Sequence, residues 1–269
     1  MKTPSLRSLV LFALAFAPVA SLPAADSKPV FLYSRHFNAV GEDRYLPDGN
    51  YKDLLQRLAK DFDVRVNDQP LTAETLAGVS VVLIANPSDK AVANNPLPHH
   101  FAARDIAALT DFVKRGGGLV VMGNQENHNL EVEDTNKLLR QFGLQFTNLY
   151  TDAKLLPLPK TTPIIGGLRW AYYTGNQVRI ESSHAAKPRG LVMNDLSIKP
   201  AKGPRDEAGA LLSVAELGKG RVIVVTDAGW VADFAFNEKG VGGVALKGQD
   251  NWEIFRRLAR WAAGLRAAP

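Results

Sequence analysis

The densest run of chemically capable side chains in this 269-residue chain is Gly123-Asn124-Gln125-Glu126-Asn127-His128-Asn129. Amide, carboxylate and imidazole groups follow one another there with no apolar residue between them. Amides carry paired donors and acceptors, a carboxylate accepts, and an imidazole does either, which is the mixture that matches carbohydrate hydroxyls. The same side chains also cap helices and satisfy loop backbone. Three other polar segments hold comparable groups. One carries His36, Arg44 and Asp48, a second Asn86, His99 and His100, and a third Asp227, Trp230 and Asp233. Four of the five histidines fall in these segments, so imidazole chemistry, if the protein uses any, belongs there.

Two chemistries fit this set. A binding protein would use His36, Arg44, Asp48, Asn86, Asn124, Gln125, Glu126, Asn127, His128, Asp227 and Trp230 to hold a saccharide or a cell-envelope ligand. A hydrolase or lyase would use Glu126 or Asp227 as general base and His128 or His36 as acid, because paired carboxylates cleave glycosides without any thiol. His36, His128 and Glu126 are ligand types for zinc, but no HExxH-like spacing links them and no metal is assigned. Gly116-Gly117-Gly118 ends a helix and precedes a strand, the wrong order for a phosphate cradle, and no cofactor is expected. Trp170, Tyr172 and Tyr173 form an aromatic group that serves either a sugar face or a core. A third class is a scaffold subunit that meets a protein partner.

The elements that must position these loops are legible from periodicity. Short apolar runs at 29–33, 63–66, 79–85 and 119–122 predict strands, with 29–33 buried on both faces, 119–122 also buried and 79–85 the best candidate for a central strand. Between them, 51–60, 105–115 and 133–142 space their apolar residues as helices, with a brief helix at 71–76 behind a Thr72 cap. Such alternation builds a mostly parallel sheet covered by helices on both faces, and ligands then gather at the carboxyl ends of the strands. The region 147–208 loses this rhythm and reads as a β-rich or irregular insertion. Beyond it, 209–216 and 221–226 form a hairpin around Gly218-Lys219, and Asp250 caps a last helix over 251–263.

Lys2 and Arg7, the apolar run 9–17 and the small residues Ala24 and Ala25 read as a secretory signal over 1–25. An exported chain, periplasmic or secreted, follows, with one domain over 26–265. Losing the leader removes two positive charges from a formal net charge of +5. The remaining basic residues are scattered, which speaks against nucleic acid as a partner. No later apolar run is long enough to cross a membrane. The chain has no cysteine, so thiolate nucleophiles, disulfides and cysteine-ligated metals are excluded.

Two stretches, LTDFVKRGGGLVVMGN (109–124) and LGKGRVIVVTDAGWVADFAF (217–236) with DNWEIFRRLARWAAG (250–264), resemble the class I glutamine amidotransferase-like superfamily. The resemblance is to its extracytoplasmic branch, which includes domains associated with sugar-active enzymes and with gliding-motility and intraflagellar-transport proteins. It implies a flavodoxin-like α/β fold. In catalytic relatives the nucleophile stands on the turn after the central strand, here the turn after Met122. Gly123-Asn124-Gln125-Glu126 supplies no serine or cysteine there, so the resemblance implies a non-catalytic member.

Overall fold

A computed structural model describes residues 27–124, 126–149, 151–152, 155–196, 209–236 and 247–265. The leader read at 1–25 and the candidate Gln125 lie outside the described residues, as does the side chain of Glu126.

Five strands run parallel: β1 (Val30–Ser34), β2 (Asp63–Asn67), β3 (Val79–Ala85), β4 (Gly118–Met122) and β13 (Gly220–Val225). Their order is β2-β1-β3-β4-β13, the doubly wound arrangement expected of a flavodoxin-like sheet. The sheet then continues antiparallel through β12 (Ala210–Leu217), β10 (Val178–Ile180) and β5 (Leu144–Phe146), while β11 (Arg189–Met193) also pairs with β12. Strands β6 (Thr151–Asp152) and β9 (Thr174–Gly175) form one small ribbon, and β7 (Leu155–Pro157) and β8 (Arg169–Ala171) another.

Alternation along the central strands divides the core into two layers. Phe31, Tyr33, Leu83, Val120 and Val225 pack under α1 (Lys52–Leu58) and α5 (Asn251–Ala262). Leu32, Val82, Ile84, Val121 and Val224 point the other way, under α2 (Ala103–Arg115) and α3 (Glu133–Leu139). Helices α1 and α2 follow adjacent strands yet cover opposite faces, so the connections leaving β1 and β3 diverge. That divergence opens a crevice at the carboxyl edge.

The three glycines before β4 answer three separate constraints. Gly116 ends α2 with φ +123°, a side chain on Gly117 would meet the Phe112 ring at 2.3 Å, and one on Gly118 would meet the Ala262 carbonyl oxygen of α5 at 2.6 Å. The close seating of α5 on the central strand therefore depends on the absence of a side chain there.

Several elements depart from the sequence expectation. Residues 71–76 form a turn, although Leu71 and Leu76 are buried as anchors. Thr72 and Thr75 explain it, since each hydroxyl accepts the other's backbone N–H, at 2.7 and 3.3 Å, in competition with a helix. Helix α3 stops at Leu139, and 140–142 tighten into a single 3₁₀ turn before Gly143 at φ +69°. Asp250 stands at the N-cap of α5 as expected, but its carboxylate makes no capping bond; it accepts the Arg169 N–H at 2.8 Å and ties β8 to the start of that helix. A short α4 (Asp233–Phe236) lies between β13 and α5.

Candidate functional site

Parallel registry sets the site. Ala85 of β3 and Val225 of β13 both pair with Met122 of β4, and Ser34 of β1 pairs with Ile84. The loops starting at Arg35, Asn86, Gly123 and Thr226 therefore leave from one edge. Asn86 joins two of them. Its backbone lies in the left-handed region at φ +46°, which asparagine tolerates better than most residues. Its side-chain oxygen accepts the Asn124 N–H and its amide donates to the His128 carbonyl, both at 2.9 Å.

Above this knot sits a cavity of about 200 Å³ lined by Arg44, Tyr45, Asn50, Asn124, His128, Tyr173, Thr174, Asp227, Gly229 and Phe234. Four of the residues singled out from sequence, Arg44, Asn124, His128 and Asp227, thus meet across three loops. Asn86 lies beneath them with both side-chain groups engaged.

The others are placed elsewhere. His36 is buried, bonded through Nδ1 to the Asp68 carbonyl at 3.1 Å and stacked on His99 at 4.3 Å. Its pKa is lowered, first by burial and then by His99. Asp48 and Asn127 are exposed and do not line the cavity. Trp230 is fully buried in the core, edge-on to Trp170 and Phe255, and so is not available to a ligand.

Asp227 is the carboxyl group most strongly shifted toward its protonated form among the described residues. It is 1% exposed, and its oxygens accept the Gly229 N–H at 2.6 Å and the Tyr173 N–H at 3.1 Å. Burial pushes its pKa up to about 7 despite those backbone donors, since no cation offsets the desolvated charge among the described residues. His128 moves the other way: burial and then the Arg44 charge lower its pKa, which keeps the ring neutral. Arg44 is itself committed to Glu42, a buried residue, by a two-pronged pair at 2.8 and 3.0 Å. Burial works against the Glu42 carboxylate, but the Arg44 hydrogen bonds and charge hold it below the usual range.

Tyr45 ties the loop after β1 to Asn124. Its hydroxyl accepts the Asn124 side-chain amide at 3.1 Å, its carbonyl accepts the Tyr33 hydroxyl, and its φ of +59° is unusual for an aromatic residue. Asn124 Oδ1 and His128 Nδ1 are buried and have no hydrogen-bond partner among the described residues. Unpaired buried polar atoms at a cavity wall are where a ligand or water gains most.

Periodicity gave no hint of Tyr173 and Thr174, which come from the irregular region. They reach the edge because β9 lies across the end of β13: Asn176 N–H donates to the Thr226 carbonyl at 2.9 Å, and a side chain on Gly175 would fall 1.7 Å from that oxygen. The aromatic run 170–173 was the available signal. It divides, with Trp170 and Tyr172 fully buried and Tyr173 at the cavity.

Outside the cavity, His100, Glu131 and Asp134 bring one possible metal-ligand atom each within 4.8 Å of the others. Glu131 already accepts the Asp134 and Thr135 N–H groups at the start of α3, both at 2.8 Å, and His100 pairs with Asp134 at 3.3 Å. Capping accounts for that cluster. No helix among the described residues is long and apolar enough to cross a membrane.

Comparison with known proteins agrees with this architecture. The model of the IFT52 GIFT domain matches residues 36–155, a span that includes Arg44, Asn86, Asn124 and His128 but not Asp227. Intraflagellar transport protein 52 homolog from Mus musculus is 25% identical over 112 residues, 42% of this chain and 24% of that protein. The chain thus matches about a quarter of the length of its curated relatives. Among solved structures, the mmIFT52 N-terminal domain superposes with TM-score 0.61 at 15% identity, covering 87% of this chain and 97% of that one. A putative ThuA-like protein from Bacteroides uniformis gives 0.53 at 13% identity, covering 92% and 95%. The chain therefore shares the glutamine amidotransferase-like fold of the GIFT and ThuA-like proteins, with its sequence similarity to the IFT52 GIFT domain confined to 36–155.

Proposed function

We propose that this chain is a non-catalytic accessory protein that recognises a saccharide at the carboxyl edge of its sheet. One observation carries the reading. The turn after β4, where the resemblance puts the nucleophile of catalytic relatives, carries Asn124, whose N–H is held by Asn86 and whose buried side-chain oxygen faces a cavity with no hydrogen-bond partner among the described residues. Such a turn can hold a ligand by hydrogen bonds and offers neither serine nor cysteine to attack it. The ring edges of Tyr45, Tyr173 and Phe234 supply apolar surface beside the polar groups, the composition of a sugar site. We also propose an exported location, on the strength of the leader-like residues 1–25.

Thermal-shift and calorimetric titration of the purified chain against a glycan panel, with product analysis, tests this. A stabilising shift without product supports the binder. Turnover that disappears in Glu126→Gln or Asp227→Asn would replace it with the hydrolase or lyase reading. A scaffold role beside a protein partner is the second reading, and the match of 36–155 to the IFT52 GIFT domain favours it. Absence of any glycan response, with stable co-elution of a partner protein, is the result that reading expects.

A further inference from the structure

We infer that the cavity beneath Tyr45 and Tyr173 admits a neutral polyhydroxy ring and excludes its acidic counterparts, because its guanidinium is already neutralised by Glu42 and its inner carboxylate has no cation. The inference rests on the saccharide reading and specifies which saccharides the site accepts.

Arg44 is the only lysine or arginine among the described lining residues. Its Nε and Nη2 both donate to Glu42, which is 5% exposed and bonded through both oxygens. A ligand carboxylate or phosphate would have to displace that buried acid, and Glu42 would then be left charged, desolvated and without its partner. Asp227 adds its own charge or proton at the inner wall and makes no ion pair among the described residues. An anion entering here meets one neutralised cation and one carboxylate.

Hydrogen-bond polarity points the same way. Asn124 Oδ1 can only accept, and one of the two hydrogens on the amide nitrogen is given to the Tyr45 hydroxyl. Its partner must bring a hydrogen. A sugar hydroxyl does so and can accept in turn from a neighbouring group, whereas a carboxylate or a dianionic phosphate has no hydrogen to give. Tyr173 and Phe234, edge to face at 6.1 Å, offer C–H and ring surface to the apolar side of a pyranose. At about 200 Å³ the space is smaller than most drug-sized ligand sites, so a single ring fits and a longer glycan must project outward.

The test compares neutral hexoses and N-acetylhexosamines with the matching uronic acids and hexose 6-phosphates, by calorimetry at low salt on the full chain. The expected result is binding of at least one neutral sugar, with its uronate weaker by on the order of tenfold or more. Glu42→Gln releases Arg44, and in a variant whose melting curve remains cooperative the uronate should recover most of that difference. A wild-type protein that binds the uronate as tightly as the neutral sugar overturns the inference while leaving the saccharide reading intact. Preserved discrimination in a folded Glu42→Gln overturns the assignment of selectivity to the Arg44 and Glu42 pair. No response to any sugar, neutral or acidic, removes the saccharide reading and the inference with it. The wild-type comparison decides the preference even where the variant does not fold.

Discussion

Asn86 Oδ1 accepts the Asn124 N–H at 2.9 Å while the same side chain donates to the His128 carbonyl at 2.9 Å, so one buried amide ties the loop after β3 to both ends of the segment that brings Asn124 and His128 to the cavity. Neither contact survives Asn86→Ala, which strands a buried donor and a buried acceptor at about 1–3 kcal/mol each and forces alanine into φ +46°. Asn86→Asp keeps the first contact and loses the second, so its melting temperature should lie between those of Asn86→Ala and the wild type. Equal melting temperatures for all three chains would show that the loops are held by something else.

Asp227 should make stability depend on pH across the neutral range. Its folded pKa is about 7 against an ordinary 3.8, so between those values the folded chain keeps a proton that the unfolded chain has released. Stability therefore falls as pH rises from about 4 to about 7 and levels off above, with a total of ~4 kcal/mol for a three-unit difference. Glu42 and Asp61, held low by arginines, contribute the opposite slope only at more acidic pH. Urea denaturation at pH 5, 6, 7 and 8 isolates the effect by comparison with Asp227→Asn, whose curve should lack this decline. Parallel curves for the two proteins would refute it.

The parallel sheet was legible because 79–85 and 119–122 are short, β-branched and uninterrupted, and because helix-spaced runs separate them; little else is compatible with that pattern. Given the sheet, Asn86, Asn124 and Asp227 had to leave from one edge. What the local pattern could not show was side-chain direction. Trp230 stands three residues after Asp227, yet a 3₁₀ turn over Gly229–Val231 drives its ring into the core. Arg44 has three acids close in sequence, Glu42, Asp43 and Asp48, and nothing in the spacing chooses between them; the loop folds back so that Glu42 presents both oxygens to it. Tyr173 was out of reach for another reason, because its position depends on β9 crossing the end of β13, a contact between residues some fifty apart in sequence.

That crossing yields a third prediction. In Gly175→Ala the new methyl group would lie 1.7 Å from the Thr226 carbonyl oxygen and 2.6 Å from its carbon, both backbone atoms that cannot rotate away. Strand β9 must lift, at a cost of about 1–3 kcal/mol or more, and Tyr173 N–H moves off Asp227. The expected readout is a lowered melting temperature together with loss of ligand response, whereas a fully wild-type titration would mean that β9 does not wall the cavity.

Packing and binding roles separate most clearly at Trp230 and Tyr173. Trp230 is fully buried against Trp170 and Phe255, and its indole nitrogen has no hydrogen-bond partner among the described residues. Trp230→Phe therefore forfeits packing volume but no bond, and Trp230→Ala should cost about 3–5 kcal/mol as a cavity opens in the core. For a domain of this size that lowers the melting temperature by roughly 2–4 °C per kcal/mol. Tyr173 is bonded to Asp227 through its backbone alone, so Tyr173→Ala keeps that contact and removes a ring from the cavity. Both substitutions should lower the melting temperature, since Tyr173 is itself only 7% exposed, but at a temperature where each variant is folded ligand affinity should drop in Tyr173→Ala and stay near wild type in Trp230→Phe. Affinity lost equally in both would place Trp230 in the binding surface and contradict its burial.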